Sequence, residues 1–103
     1  MDLTENEIKQ NKYIRGRILR CLVNGNNYCL YARQIINPLL DDATIMTPDI
    51  SKYITYLHDA GYIEFVDKKV NAYTAYGNDA LIKMTRKGVD LVEGTIEDPG
   101  VDI

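Results

Sequence analysis

The chain contains no tryptophan, one histidine, one phenylalanine and two cysteines among its 103 residues. A single imidazole, His58, has no second His or nearby Cys in sequence, so much metal and acid–base chemistry is hard to assemble. Cys21 and Cys29 are too few for a disulfide framework, and their spacing fits no zinc pattern. Both lie among apolar residues and read as small core hydrophobes in a reducing, cytoplasmic compartment. No apolar run approaches the ~20 residues of a membrane-spanning helix, so no membrane partner is expected. The start, Met1 to Glu7, is acidic and polar and lacks the basic and apolar regions of a secretory signal. The scattered glycines form no phosphate-cradling loop, and Asp41-Asp42 alone offers too few oxygen ligands for a metal. No catalytic residue, cofactor or metal site is expected. The chemistry points to binding, not to an enzyme.

What is present is enough for one domain. The chain is 46% hydrophobic and 26% charged, with net charge -3 and eight tyrosines. The net charge hides an asymmetry. From Asp90 onward there are five acids (Asp90, Glu93, Glu97, Asp98, Asp102) and no base, which leaves ten acids against twelve bases, about +2, over residues 1–89. Three regions follow: a flexible lead-in at 1–7, a folded domain at 8–94, and an acidic, solvated tail at 95–103.

Hydrophobic spacing sets the elements. Ile14, Ile18, Cys21 and Leu22 recur at helical intervals within 8–24, and Asn24-Gly25-Asn26-Asn27 ends that helix by tolerating left-handed backbone. Gly16 costs the helix about 1 kcal/mol against Ala. A short extended link at 28–30 precedes a second helix, 31–40, which Pro38 should distort or stop. The third helix is read over 48–60. Thr47 can cap it, Pro48 suits its first position, and Asp49 favours its positive end. Ile50, Ile54, Leu57 and Gly61 share one stripe, which turns Ser51, Lys52, Thr55, Tyr56 and Asp59 the other way. Residues 62–67 alternate as a strand, 80–84 read as a returning strand, and Thr85 caps a last short helix closed by Gly94.

Three helices, a β-hairpin and a short C-terminal helix give an α+β order that resembles the winged helix-turn-helix superfamily. Ile54-x-x-Leu57-x-x-x-Gly61-Tyr62-Ile63-Glu64 is similar to the recognition-helix exit of such proteins. Met84-Thr85-Arg86-Lys87-Gly88-Val89-Asp90-Leu91 resembles their return from the wing into the next helix. Residues 91–101 are similar to the ending of small winged-helix proteins of Mu-like prophages.

That resemblance implies a small transcriptional regulator that binds double-stranded DNA as a homodimer. Helix 48–60 would enter the major groove, where 3–4 side chains reach base edges. Ser51, Lys52, Thr55 and Tyr56 are the candidate readers, and Lys68 and Lys69 of the wing would meet phosphates. Arg15, Arg17, Arg20 and Arg33 would add backbone contacts if they share that surface. Charge argues the other way. Helix 48–60 holds Asp49 and Asp59 but no Arg, Asn or Gln, and the sequence pI is ≈ 5.0. The alternative reading is a winged-helix protein-interaction module that touches no DNA. Its contact surface would be the acidic tail and a Tyr-rich wing containing Tyr73 and Tyr76.

Overall fold

The computed structural model describes residues 3–67, 75 and 79–103. Over these described residues it is an α+β fold of four helices and a small antiparallel sheet. The order is α1 (Glu5–Val23), β1 (Cys29–Tyr31), α2 (Ala32–Asp41), α3 (Ser51–Asp59), β2 (Ile63–Phe65), β3 (Leu81–Met84) and α4 (Arg86–Val92).

The expected lead-in is shorter than residues 1–7. Thr4 caps α1 by accepting a hydrogen bond from the Glu7 amide at 3.1 Å, and Glu5 and Glu7 suit the positive helix end. Ile14, Ile18, Leu19 and Leu22 carry the helix into the core, whereas Ile8 lies in solvent because the first turns overhang the body. Gly25 follows the C-cap, but the left-handed residues are Asn27 and Tyr28. Gly25 is required for a different reason: a Cβ there would overlap the Cys29 carbonyl.

α2 runs past Pro38 to Asp41 instead of stopping at it. Ala43, in left-handed backbone, then turns the chain. α3 begins three residues later than expected. Thr47 and Pro48 lie outside the helix, and the Asp49 carboxylate accepts from both the amide (3.0 Å) and hydroxyl (2.6 Å) of Ser51. Gly61, at φ +86, ends α3 with a Schellman pair: its own amide donates to the His58 carbonyl and the Tyr62 amide to the Leu57 carbonyl.

The strand order is β1-β3-β2, both pairings antiparallel. Leu30, Ile82 and Phe65 align across the sheet and face inward with Ile63 and Met84. They close on Ile35, Ile36 and Leu39 of α2 and on Ile54 and Leu57 of α3 to form one core with the α1 stripe. α4 lies against the start of β2. Its Gly88 has no room for a Cβ beneath the Tyr62 carbonyl and Met84, and Thr85 caps it by accepting from the Gly88 amide at 3.2 Å.

The C-terminal segment is the largest departure from expectation. Residues 95–103 do not fray into solvent. Val101 is 5% exposed, and the Asp102 amide donates to the Lys12 carbonyl of α1 at 3.1 Å. Among the described residues no helix is long and apolar enough to cross a membrane.

Candidate nucleic-acid interface

The core stripe of α3 is Tyr53, Ile54 and Leu57, all buried. This fixes which side of the helix is available. Lys52, His58 and Asp59 are exposed and Ser51 is half-buried. The Lys52 ammonium lies 5.0 Å from the Tyr53 ring centroid, so its stem follows the helix while its charge stays in water. Met46, in the α2–α3 turn, is 84% exposed and shares a shallow depression with Gln10, Thr44, Thr47 and Lys52.

The candidates do not all share this edge. Tyr56 packs against the core and toward the C-terminal segment. Its ring lies 3.6 Å below the Arg15 guanidinium, and its hydroxyl occupies the space that a Cβ on Gly100 would need. The hydroxyl of Thr55 is buried with no hydrogen-bond partner among the described residues. Both positions lie at the margin of the apolar stripe, and tertiary packing turns them inward. Lys68, Lys69, Tyr73 and Tyr76 lie outside the described residues.

The arginines of α1 serve the fold. Arg15 donates to the Gly100 carbonyl at 3.0 Å. Arg17 pairs with Asp42 at 3.0 Å and reaches Tyr13 and Thr44. Arg20 donates to the Asp102 carbonyl at 3.2 Å. Hydrogen bonds with Tyr13 and Asp42 raise the Arg17 pKa, while those from Thr44 and then Arg17 hold the Asp42 carboxyl below its usual range. Arg33 is exposed at the first turn of α2, where its amide donates to the Asp79 carboxylate at 3.0 Å. That bond ties the start of α2 to the segment leading into β3.

The lone histidine stacks on Phe65 with ring centroids 5.3 Å apart and lies 3.8 Å from its neighbour Asp59. Cys21 and Cys29 are half-buried free thiols, and burial pushes the Cys21 thiol up. Among the described residues no group of three His, Cys, Asp or Glu is placed to hold a metal ion.

Sequence reasoning missed the set Arg15, Gly16, Asp98 and Gly100. One signal was available. A glycine inside a long helix is unfavourable unless another backbone must come close. At Gly16 that backbone is the Asp102 carbonyl. Comparison with known proteins adds no family: no family model, curated protein or solved structure matches the chain.

Proposed function

We propose that this chain is a winged helix-turn-helix protein that binds double-stranded DNA and acts as a small dimeric regulator of transcription. The observation that carries the reading is the layout. A helix pair, α2–α3, is followed by an antiparallel strand pair, and β1 adds to the far side in the order β1-β3-β2. The layout leaves the Ser51–Lys52 edge of α3 in solvent. In this reading α3 enters the major groove by that edge, with Lys52 as the base or phosphate contact. In the same reading Lys68 and Lys69, outside the described residues, would be the phosphate contacts of the wing.

One observation favours the protein-interaction alternative. The exposed edge of α3 carries a single lysine between Asp49 and Asp59, a weak footprint for a polyanion. The acidic tail is docked on α1 and Tyr62 through residues 98–102, with Glu97 and Asp102 still exposed. Met46 and the exposed tyrosines would add to that surface.

Fluorescence anisotropy with a labelled pool of random-sequence duplexes, at low and moderate salt, separates the two. Binding that weakens with salt supports the DNA reading. Lys52→Ala should then lower affinity and reduce the slope of log K against log salt by roughly one phosphate contact, about 0.9. Absence of binding at both salts, by folded and monodisperse protein, overturns it.

A further inference from the structure

We propose that residues 95–103 form a strap that positions α3, and that Arg15 and Tyr56 are the positioning residues through which it acts. The strap's effect on DNA rests on the reading above; its grip on α3 does not.

The path of the strap is set residue by residue. Gly94, at φ +83, turns the chain back, and the Thr95 amide donates to the Asp90 carbonyl at 2.8 Å. Asp98 then takes two donors: the Tyr62 hydroxyl at 2.5 Å and the Gly100 amide at 2.8 Å. The Gly100 carbonyl receives Arg15, Val101 is buried, and the Asp102 carbonyl receives Arg20. Two glycines in different elements make the approach feasible. A Cβ on Gly16 would overlap the Asp102 carbonyl oxygen, and a Cβ on Gly100 would overlap the Tyr56 hydroxyl oxygen. Backbone fitted this closely at two points is a built contact.

The contact reaches α3 through Tyr56. Arg15 of α1 lies over the ring and also holds the Gly100 carbonyl, while Gly100 abuts the hydroxyl. α3 needs such support. It has only nine residues. A helix this short draws its stability from packing. Tyr53, Ile54 and Leu57 hold one side of α3 on the core, and Tyr56 adds a lateral hold that fixes rotation about the helix axis.

The test is hydrogen–deuterium exchange on the full chain and three variants. Gly100→Ala drives a methyl against the Tyr56 hydroxyl, and Gly100→Ala with Tyr56→Phe removes that hydroxyl. Gly16→Ala wedges the strap from the α1 side, and Ala favours a helix over Gly, so strap loss there is no helix defect. We expect the α3 amides to exchange roughly tenfold faster in both single variants and to return close to wild type in the double variant. Faster exchange confined to residues 98–102, with α3 unchanged, overturns the proposal. Failure of the double variant to restore α3 removes Tyr56 as the link and overturns it as well. If Gly100→Ala does not fold, Gly16→Ala decides between the same two outcomes. Where wild-type protein binds duplex, Gly16→Ala should weaken binding by about three- to tenfold with an unchanged salt slope, because no phosphate contact is lost. Where it binds none, the DNA reading fails and exchange still decides the strap.

Discussion

Tyr62 is 3% exposed, and its hydroxyl donates to Asp98, so its ionisation is coupled to stability. Burial and then the Asp98 carboxylate push its pKa up to about 12 from 10.0, while the same hydrogen bond and the Gly100 amide hold Asp98 below its usual range. A folded-state pKa raised above the unfolded one contributes stability below the unfolded value and loses it as pH rises. The Tyr62 contribution is therefore intact below pH 10 and disappears between pH 10 and about 12. Asp98, depressed, acts at the other end: its contribution is present above the unfolded value of 3.8 and is lost as pH falls through the lower folded value. Tyr62→Phe keeps the ring and removes the bond. It should cost about 1.5–3 kcal/mol at neutral pH, the range for a hydrogen bond to a charged acceptor. Urea midpoints measured across the alkaline range should fall more steeply for wild type than for Tyr62→Phe. Parallel curves would show that Tyr62 ionises as freely in the folded chain as in the unfolded one.

Elements were legible from the sequence wherever local signals agree. Gly61 after an apolar stripe marks the end of α3, and Thr85 marks the start of α4, because caps act within a few residues of themselves. The start of α3 was misread for a local reason. Thr47-Pro48-Asp49 satisfies the same cap rules as Asp49-Ile50-Ser51, and spacing alone does not choose between them. The structure starts the helix at Ser51 with Ile50 as N-cap residue, and Asp49 just before it accepts two hydrogen bonds from Ser51 that hold its carboxyl below its usual range. Asp49→Ala should therefore destabilise the chain by about 1 kcal/mol, whereas Thr47→Ala should stay within about 0.5 kcal/mol of wild type. Urea denaturation of the two variants checks this, and the reverse order would return the start of α3 to Pro48. The tail was misread for a different reason. Read alone, 95–103 is an acidic segment with no partner, and its partners, Lys12, Arg15, Gly16 and Arg20, lie some eighty residues earlier. Of the six proposed contact residues, Lys52 lies exposed, Ser51 half-buried, and Lys68 and Lys69 outside the described residues, while Thr55 and Tyr56 were assigned outward from a helical projection that cannot register a strap arriving from the C-terminus.

At the scale of the whole molecule, charge and size act together. Arg17 is neutralised by Asp42, and Arg15 and Arg20 keep their charge but commit donors to strap carbonyls, so fewer guanidinium donors are available to phosphates than the twelve basic residues in the sequence suggest. A single copy with Lys52 as the main cation on α3 would neutralise few phosphates and bind weakly. In the proposed dimer, pairing would offset this by doubling the contacts. The molecule extends 35 × 32 × 25 Å. If the chain pairs, extents of this size allow two α3 helices to reach the one-turn spacing of about 34 Å between half-sites on one face of B-DNA. Sedimentation equilibrium of mixtures with duplexes of increasing length tests this directly. Two chains per duplex are expected once the site spans two half-sites about 10 base pairs apart, with affinity rising sharply at that length. Affinity that is flat with length, at one chain per duplex, would mean that each copy reads its half-site alone. The contacts of one copy, Lys52 among them, would then have to supply the whole of the binding energy.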